Sequence, residues 1–241
     1  MSDPSRIHLN GRRVAPAEAA VRFDDRGFQF GDGAYEVLRV YEGRPFLLEP
    51  HLARLVRTLE GLEIALPEPL ERIAELCRTL AAERGDGTVY LQITRGAAPR
   101  AHAFPAGVAP TFVAYSTPAG RVPPALNLRS VPDDRWGRCH LKTLNLLANV
   151  LAKQAALRAG ADEGLFVRED GTVTEGTASN AFLVRGGAIV THPADARILG
   201  GITRALVLEL AAKLGIPSQE LPWTLQDARS ADELFMTGTT I

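Results

Sequence analysis

Apolar residues recur along this chain in two rhythms. Alternation marks half-buried strands. Thr88–Thr94 sets Val89, Leu91 and Ile93 on one face, and Ala34–Tyr41, Pro110–Ser116, Leu126–Val131 and Leu234–Thr237 read as further strands. The helical rhythm runs over Pro50–Glu63 through Leu52, Leu55, Val56, Leu59 and Leu62, and over Glu68–Arg84 through Leu70, Ile73, Leu76, Cys77 and Leu80. Leu141–Ala159 carries Leu144, Leu147, Val150, Leu151 and Ala155 along one side and is expected to be a third helix. Ile202–Leu214 is a fourth, closed by Gly215 and Pro217 in the order usual at a helix C-terminus.

Turn residues connect the strands. Asn10-Gly11 predicts a hairpin over Ile7–Val14. Glu42-Gly43 joins Ala34–Tyr41 to a strand expected at Pro45–Leu48, Asp170-Gly171 joins Gly164–Arg168 to Val173–Glu175, and Gly186-Gly187 joins Ala181–Val184 to Ala188–Thr191. The three prolines and one glycine of Thr117–Pro124 fit neither ladder nor helix and predict a linker. The expectation is an α+β protein with an N-terminal domain over 1–116, a linker over 117–124 and a C-terminal domain over 125–241.

Composition removes several classes of function. The 241 residues are 46% hydrophobic and 23% charged, and mean hydropathy is -0.02, a globular rather than a disordered balance. Twenty-seven basic and 28 acidic residues leave a net charge of -1, with no basic excess to hold a nucleic acid. No apolar run approaches the ~20 residues that cross a bilayer, and Met1–Arg13 lacks a signal-peptide core. Cys77 and Cys139 have neither disulfide-framework nor zinc spacing. A cytoplasmic protein with no nucleic-acid or membrane partner is expected.

Only three of the 27 basic residues are lysine, namely Lys142, Lys153 and Lys213. An amine can act as a nucleophile where a guanidinium cannot, so each lysine is a candidate. Lys142 lies where an irregular stretch meets the predicted helix, a place where the helix dipole and apolar neighbours both disfavour an ammonium. Gly200-Gly201-Ile202-Thr203 leads into a helix and could cradle an anion, and Thr237-Gly238-Thr239-Thr240 groups hydroxyls beside a glycine. Glu175 could hold a protonated ring nitrogen, Arg100 and His102 could clamp a carboxylate, and Tyr35 opens a predicted strand. Each has a plainer reading alone: a snorkelling lysine, a glycine loop, a turn, a solvated pair, a core tyrosine. Together they form the set that pyridoxal phosphate and an amino-acid substrate require.

Several segments resemble the fold-type IV pyridoxal-phosphate enzymes: Asp25-Arg26-Gly27-Phe28-Gln29-Phe30-Gly31-Asp32-Gly33, Gln92-Ile93-Thr94-Arg95-Gly96, Lys142-Thr143-Leu144-Asn145, Thr174-Glu175-Gly176 and Gly201-Ile202-Thr203-Arg204. Within that group, Tyr35-Glu36-Val37, Arg100-Ala101-His102-Ala103-Phe104-Pro105 and Asn145–Gln154 are most similar to the D-amino-acid aminotransferases. The resemblance implies a two-domain fold of that type and transfer of an amino group between a D-amino acid, such as D-alanine, and a 2-oxo acid, such as 2-oxoglutarate. It assigns Lys142 to cofactor attachment and proton transfer, and Glu175 to the pyridine nitrogen. Arg54, Ile202, Thr203 and Thr239 fall to the phosphate, and Tyr35, Arg100, His102 and Thr240 to the substrate. It also implies a homodimer in which Arg100 and His102 serve the neighbouring subunit.

Branched-chain L-amino-acid aminotransferase and aminodeoxychorismate lyase are the alternatives, and a cofactor binder without turnover is the non-enzymatic one. Two departures stand out: His140 occupies a position where the resemblance implies aspartate, and further strands and a helix are expected beyond Ile241. The C-terminal domain is accordingly expected to be shortened, leaving Thr239 and Thr240 less firmly held.

Overall fold

The first hairpin pairs β1 (Ile7–Leu9) with β2 (Arg12–Val14) across Asn10-Gly11. The computed structural model describes residues 7–121 and 123–241. Part of the signal-peptide reading, over residues 1–6, and Val122 of the expected linker therefore lie outside the described residues. The described residues divide into two units, one of 7–121 with 141–145 and 240, the other of 123–140 with 146–239 and 241. Leu141–Asn145 thus groups with the first unit rather than within a contiguous C-terminal domain.

In the first unit a short helix, α1 (Arg26–Phe30), precedes β3 (Gly33–Tyr41) and β4 (Arg44–Pro45). Helices α2 (Leu48–Gly61) and α3 (Leu70–Arg84) follow, then β5 (Gly87–Thr94) and β6 (Thr111–Thr117). The strands form an antiparallel sheet in the order β2-β1-β6-β5-β3-β4. Its buried positions alternate as the sequence pattern requires. Ala34, Leu38 and Val40, Val89, Leu91 and Ile93, and Phe112 and Ala114 form one core with Leu52, Leu55 and Leu59 of α2 and Ile73, Cys77 and Leu80 of α3. Each fully buried Leu or Ile there contributes about 1.5–3 kcal/mol. Tyr35, Tyr90 and Tyr115 stack on the opposite face, with ring centroids 5.8 and 5.0 Å apart.

Two elements of this unit differ from the sequence pattern. The strand expected at Pro45–Leu48 ends at Pro45, because Leu47 turns into the left-handed region (φ 53°) and Leu48 already buries itself as the start of α2. The helix expected from Leu141 begins only at Leu147. Residues 141–145 are instead committed to β3: Tyr35 N–H donates to Lys142 O at 3.1 Å, Leu144 N–H donates to Gly33 O at 3.0 Å, and Thr143 bridges Ala34.

The second unit begins with β7 (Leu128–Pro132), α4 (Leu147–Arg158), β8 (Glu163–Val167), β9 (Thr172–Gly176), β10 (Asn180–Arg185) and β11 (Ala188–Thr191). It continues with α5 (Ile202–Lys213), β12 (Ser218–Glu220), β13 (Trp223–Thr224), α6 (Leu225–Ser230) and β14 (Glu233–Thr237). Two four-stranded sheets result, ordered β12-β11-β10-β14 and β13-β9-β8-β7. The pairs β7–β8 and β11–β12 are parallel, so α4 and α5 act as crossovers, a connection that hairpin signals could not announce. Leu165, Val173, Ala181, Leu183 and Trp223 form one core cluster, and Phe182 and Ile189 form another with Ala211 of α5.

The apolar stripe of α4 enters neither cluster. Leu147, Val150 and Leu151 are exposed, and Ala156 is the residue the helix buries. No helix among the described residues is long and apolar enough to cross a membrane.

Candidate active site

Alternation along β3 decides the first cluster. Glu36 lies between Ala34 and Leu38 on the core face, where it is fully buried against α2. One helical turn of α2 brings His51 and Arg54 to the same inner face. Arg54 grips Glu36 with both edges of its fork, Nε to Oε1 at 2.7 Å and Nη2 to Oε2 at 2.9 Å, and His51 Nδ1 donates to Oε2 at 2.8 Å. Burial alone would raise the Glu36 carboxyl. The hydrogen bonds from Arg54 and His51, and then the charges of Arg54 and Lys142, outweigh it and hold Glu36 down to about 2.

Lys142 Nζ lies 4.0 Å from the centroid of the Tyr35 ring, on the face of β3 opposite Glu36. Its backbone is fixed at both ends, N–H to Thr58 Oγ1 at 3.2 Å and C=O from Tyr35 N–H. The helix dipole is not part of this environment, since α4 starts five residues later; a sheet edge positions the amine instead.

A stability prediction follows from Glu36. Its folded pKa, about 2, lies below the ordinary 4.5, so the unfolded chain binds the proton first as pH falls. The contribution is full above about pH 4.5 and is lost on descent towards 2, amounting to about 3 kcal/mol. Urea unfolding between pH 5 and 3 should show this slope in the parent and a shallower one in Glu36→Gln. Equal slopes would assign the acid limb to other carboxylates.

Arg100 and His102 lie on the exposed loop after β5 and share one partner, the Phe30 ring. Arg100 Cζ is 4.9 Å from its centroid, and the His102 ring meets it edge-on at 5.7 Å.

The second cluster is built on β9. Glu175 is buried at its end and accepts from Arg135 Nη1 at 2.5 Å, from Asn180 Nδ2 at 2.9 Å and from Leu199 N–H at 3.1 and 3.2 Å to its two oxygens. Burial is the largest influence and pushes the carboxyl up to about 7, against the pull of Arg135 and the Leu199 amide. Arg135 is shared, since Nε and Nη2 also grip Asp133 at 2.8 and 3.0 Å.

Asn180 ties this carboxylate to the start of α5 through its second hydrogen bond, to Leu199 O at 2.8 Å. A Cβ on Gly201 would collide with Asn180 Oδ1, so this close approach requires glycine. Gly201 caps α5 without a side-chain hydrogen bond, and the half-buried Ile202 and Thr203 open the helix. Thr239 is half-buried and Thr240 exposed just past β14; His140 is exposed.

The structure therefore brings Lys142 and Tyr35 together, seats Arg54 on Glu36, pairs Arg100 with His102 through Phe30, and links Glu175 to the Ile202–Thr203 helix start through Asn180. Glu36, His51, Arg135 and Asn180 escaped the sequence reading as functional residues. Arg135 sits in Asp133-Asp134-Arg135, a charge run that reads as a solvated loop, and only its fork onto Glu175 distinguishes it.

Comparison with known proteins shows the family. A family model described as amino-transferase class IV matches residues 33–241. The D-alanine aminotransferase of Bacillus licheniformis is 41% identical over 98% of this chain and 85% of its own. Among solved structures, 4-amino-4-deoxychorismate lyase from Pseudomonas aeruginosa superposes with a TM-score of 0.86 at 30% identity, over 98% of this chain and 88% of that one. The branched-chain aminotransferase of the archaeon Thermoproteus uzoniensis, solved with norvaline, gives 0.87 at 26% identity, over 98% and 84%.

Proposed function

The chain belongs to the class IV amino-transferase family, and from that premise we propose that it exchanges the amino group of a D-amino acid, such as D-alanine, with a 2-oxo acid, such as 2-oxoglutarate, using pyridoxal 5'-phosphate. Its fold is of type IV. The observation that carries the D-specific reading is the exposed loop on which Arg100 and His102 share one aromatic partner, offering two adjacent donors for a carboxylate. An L-branched-chain enzyme or a lyase is expected to present a different loop here.

The residues present fit the cofactor. A carboxylate offers about four acceptor positions. Three N–H donors reach Glu175, from Arg135, Asn180 and the Leu199 amide, which is shared between both oxygens, so a ring N–H would be a fourth donor. Burial that holds the Glu175 carboxyl near 7 also makes it responsive: a cation at the ring nitrogen would draw it into the ionised form. The uncapped amides that open α5, with the Thr203 hydroxyl, would hold a phosphate, with Thr239 as a further contact, and Arg54 keeps the phosphate role that the resemblance implies.

Bound pyridoxal phosphate supplies an aldehyde that takes up the amino group and a ring that withdraws electrons from the α-carbon. Lys142 would hold the cofactor covalently and, once released, move the proton at the substrate α-carbon. Glu175 would keep the ring nitrogen protonated. Glu36 and His51 would hold Arg54 rigid, while Arg100, His102, Tyr35 and Thr240 would orient the substrate. The exposed apolar face of α4 supports a homodimer, and the two free cysteines support a reducing, cytoplasmic setting.

The test is holoenzyme given 2-oxoglutarate with D-alanine, L-alanine or L-leucine in parallel, and separately aminodeoxychorismate. Pyruvate formed from D-alanine and not from L-alanine is the expected result. Turnover confined to L-leucine, or pyruvate released from aminodeoxychorismate alone, would replace the reading with one of the other two.

A further inference from the structure

The segment Asp25–Gly33 has no part in the chemistry assigned above, yet it braces the loop that carries Arg100 and His102. Asp25 is buried at the N-cap of α1, where it accepts from Gly27 N–H at 2.8 Å, Thr94 Oγ1 at 3.0 Å and Thr111 Oγ1 at 2.7 Å, anchoring the short helix to β5 and β6. The backbone adds Arg26 N–H to Gly96 O at 2.9 Å, Arg95 N–H to Asp32 O at 3.1 Å and Ala98 N–H to Asp24 O at 3.1 Å.

From this anchored turn the buried Arg26 side chain reaches three consecutive carbonyls of the loop. Nη1 donates to Ala101 O at 2.6 Å and to Ala103 O at 3.4 Å, and Nη2 to His102 O at 3.4 Å, while Nε is held by Asp32 at 2.7 Å. Arg95 grips the same Asp32 and lies 3.6 Å from the Phe104 ring centroid. The Phe30 ring takes Arg26 at 4.9 Å, Arg100 at 4.9 Å and His102 at 5.7 Å. Exposed loops with few ladder partners are ordinarily mobile; here the bridge between Asp25 and Ala97 and the Arg26 fork tie the backbone from beneath, and both functional side chains rest on one ring.

We propose that Arg26 and Phe30 are positioning residues for substrate carboxylate recognition, Arg26 by fixing the carbonyls of Ala101, His102 and Ala103 and Phe30 by holding the Arg100 and His102 side chains in register. This inference rests on the reading of Arg100 and His102 as a carboxylate clamp. The physical reason is preorganisation: a donor pair already in place loses less freedom when a small ligand binds, and a D-alanine carboxylate makes few other contacts from which to recover that loss.

The experiment compares Phe30→Leu, Phe30→Tyr and Arg100→Ala as holoenzymes. KM and kcat for D-alanine are measured together with hydrogen exchange of residues 99–105. Arg26→Met would take from Asp32 one of its two arginine partners as well as freeing the loop carbonyls, so the Phe30 pair carries the test. Phe30→Leu is expected to raise KM about tenfold, with kcat within about threefold of the parent, the scale of a lost cation–π and ring contact. Exchange at 101–103 should quicken, and Phe30→Tyr should restore both. A parent-like KM in Phe30→Leu, with KM raised in Arg100→Ala, would overturn the positioning role alone. A parent-like KM in Arg100→Ala would overturn the clamp reading, and this inference with it.

Discussion

Lys142→Ala is expected to lower kcat with D-alanine by about ten-thousandfold, the upper range for loss of a positioned proton-transfer group, and to abolish the visible absorbance of covalently held cofactor. The fold should survive. The segment is anchored by its backbone, through Thr58 Oγ1 and the Tyr35 amide, while the side chain contributes the contact with the Tyr35 ring. A thermal midpoint close to the parent's would establish that the loss is chemical. Added methylamine should restore part of the turnover, because a small amine can enter the space vacated over Tyr35 and carry the proton. An unchanged absorbance band would show that another group holds the cofactor, and Lys153 or Lys213 would then be the candidates.

Glu175→Gln should reduce kcat by about a hundredfold to a thousandfold while leaving covalent attachment of the cofactor intact. An amide of the same size still reaches Asn180 and Leu199, but it cannot balance a protonated ring. Arg135 is not stranded by the change, because Asp133 accepts from two of its nitrogens, so the variant should fold. The same substitution tests the pH dependence of the cofactor-free protein. In the folded state Glu175 titrates near 7 rather than at 4.5, so the native form holds more protons across that interval. Its contribution is full below about pH 4.5 and is lost as pH rises through 7, the reverse of Glu36. The parent should therefore lose stability over that window relative to Glu175→Gln, by about 3 kcal/mol at most. Matching profiles for the two proteins would remove the elevated carboxyl, and a kcat equal to the parent's would remove the catalytic role.

The opposite behaviour of these two carboxylates shows what sequence reading reaches and what it misses. Both are glutamates at buried strand positions. Glu36 is met by a guanidinium fork and a histidine from one inner helix face, while Glu175 is met by one guanidinium shared with Asp133. Neither environment is written in the neighbouring residues. His51 and Arg54 could be placed on one face of α2 by their spacing, but their partner lies on β3, across the sheet–helix core. Arg135 and Asn180 had no local signal, because an arginine in an acidic loop and an asparagine at a strand start have many commoner uses.

Errors in the predicted elements have the same origin. Leu141–Asn145 carries a helical pattern and continues into α4, yet its backbone donors and acceptors are taken by the edge of β3, which competes successfully with helix propagation. The stripe of Leu147, Val150 and Leu151 was apolar for a reason other than packing within its own unit, since those side chains remain exposed. Short elements such as α1, β12, β13 and α6 span too few residues to show a period.

By itself the sequence determined the order of most of the strands and of the long helices, the turns at Asn10-Gly11, Asp170-Gly171 and Gly186-Gly187, and the order of family motifs from Asp25 to Thr240. Those properties depend on residues close together in the chain, through side-chain periodicity and turn chemistry. Tertiary structure alone decided which carboxylate is held ionised and which is left near neutrality, that a strand edge rather than a helix dipole presents Lys142, and that Arg26 and Phe30 brace Arg100 and His102. These follow from burial and from partners distant in sequence: electrostatic strength depends on the surrounding dielectric and on the groups that close each hydrogen bond, and both exist only once the chain has folded.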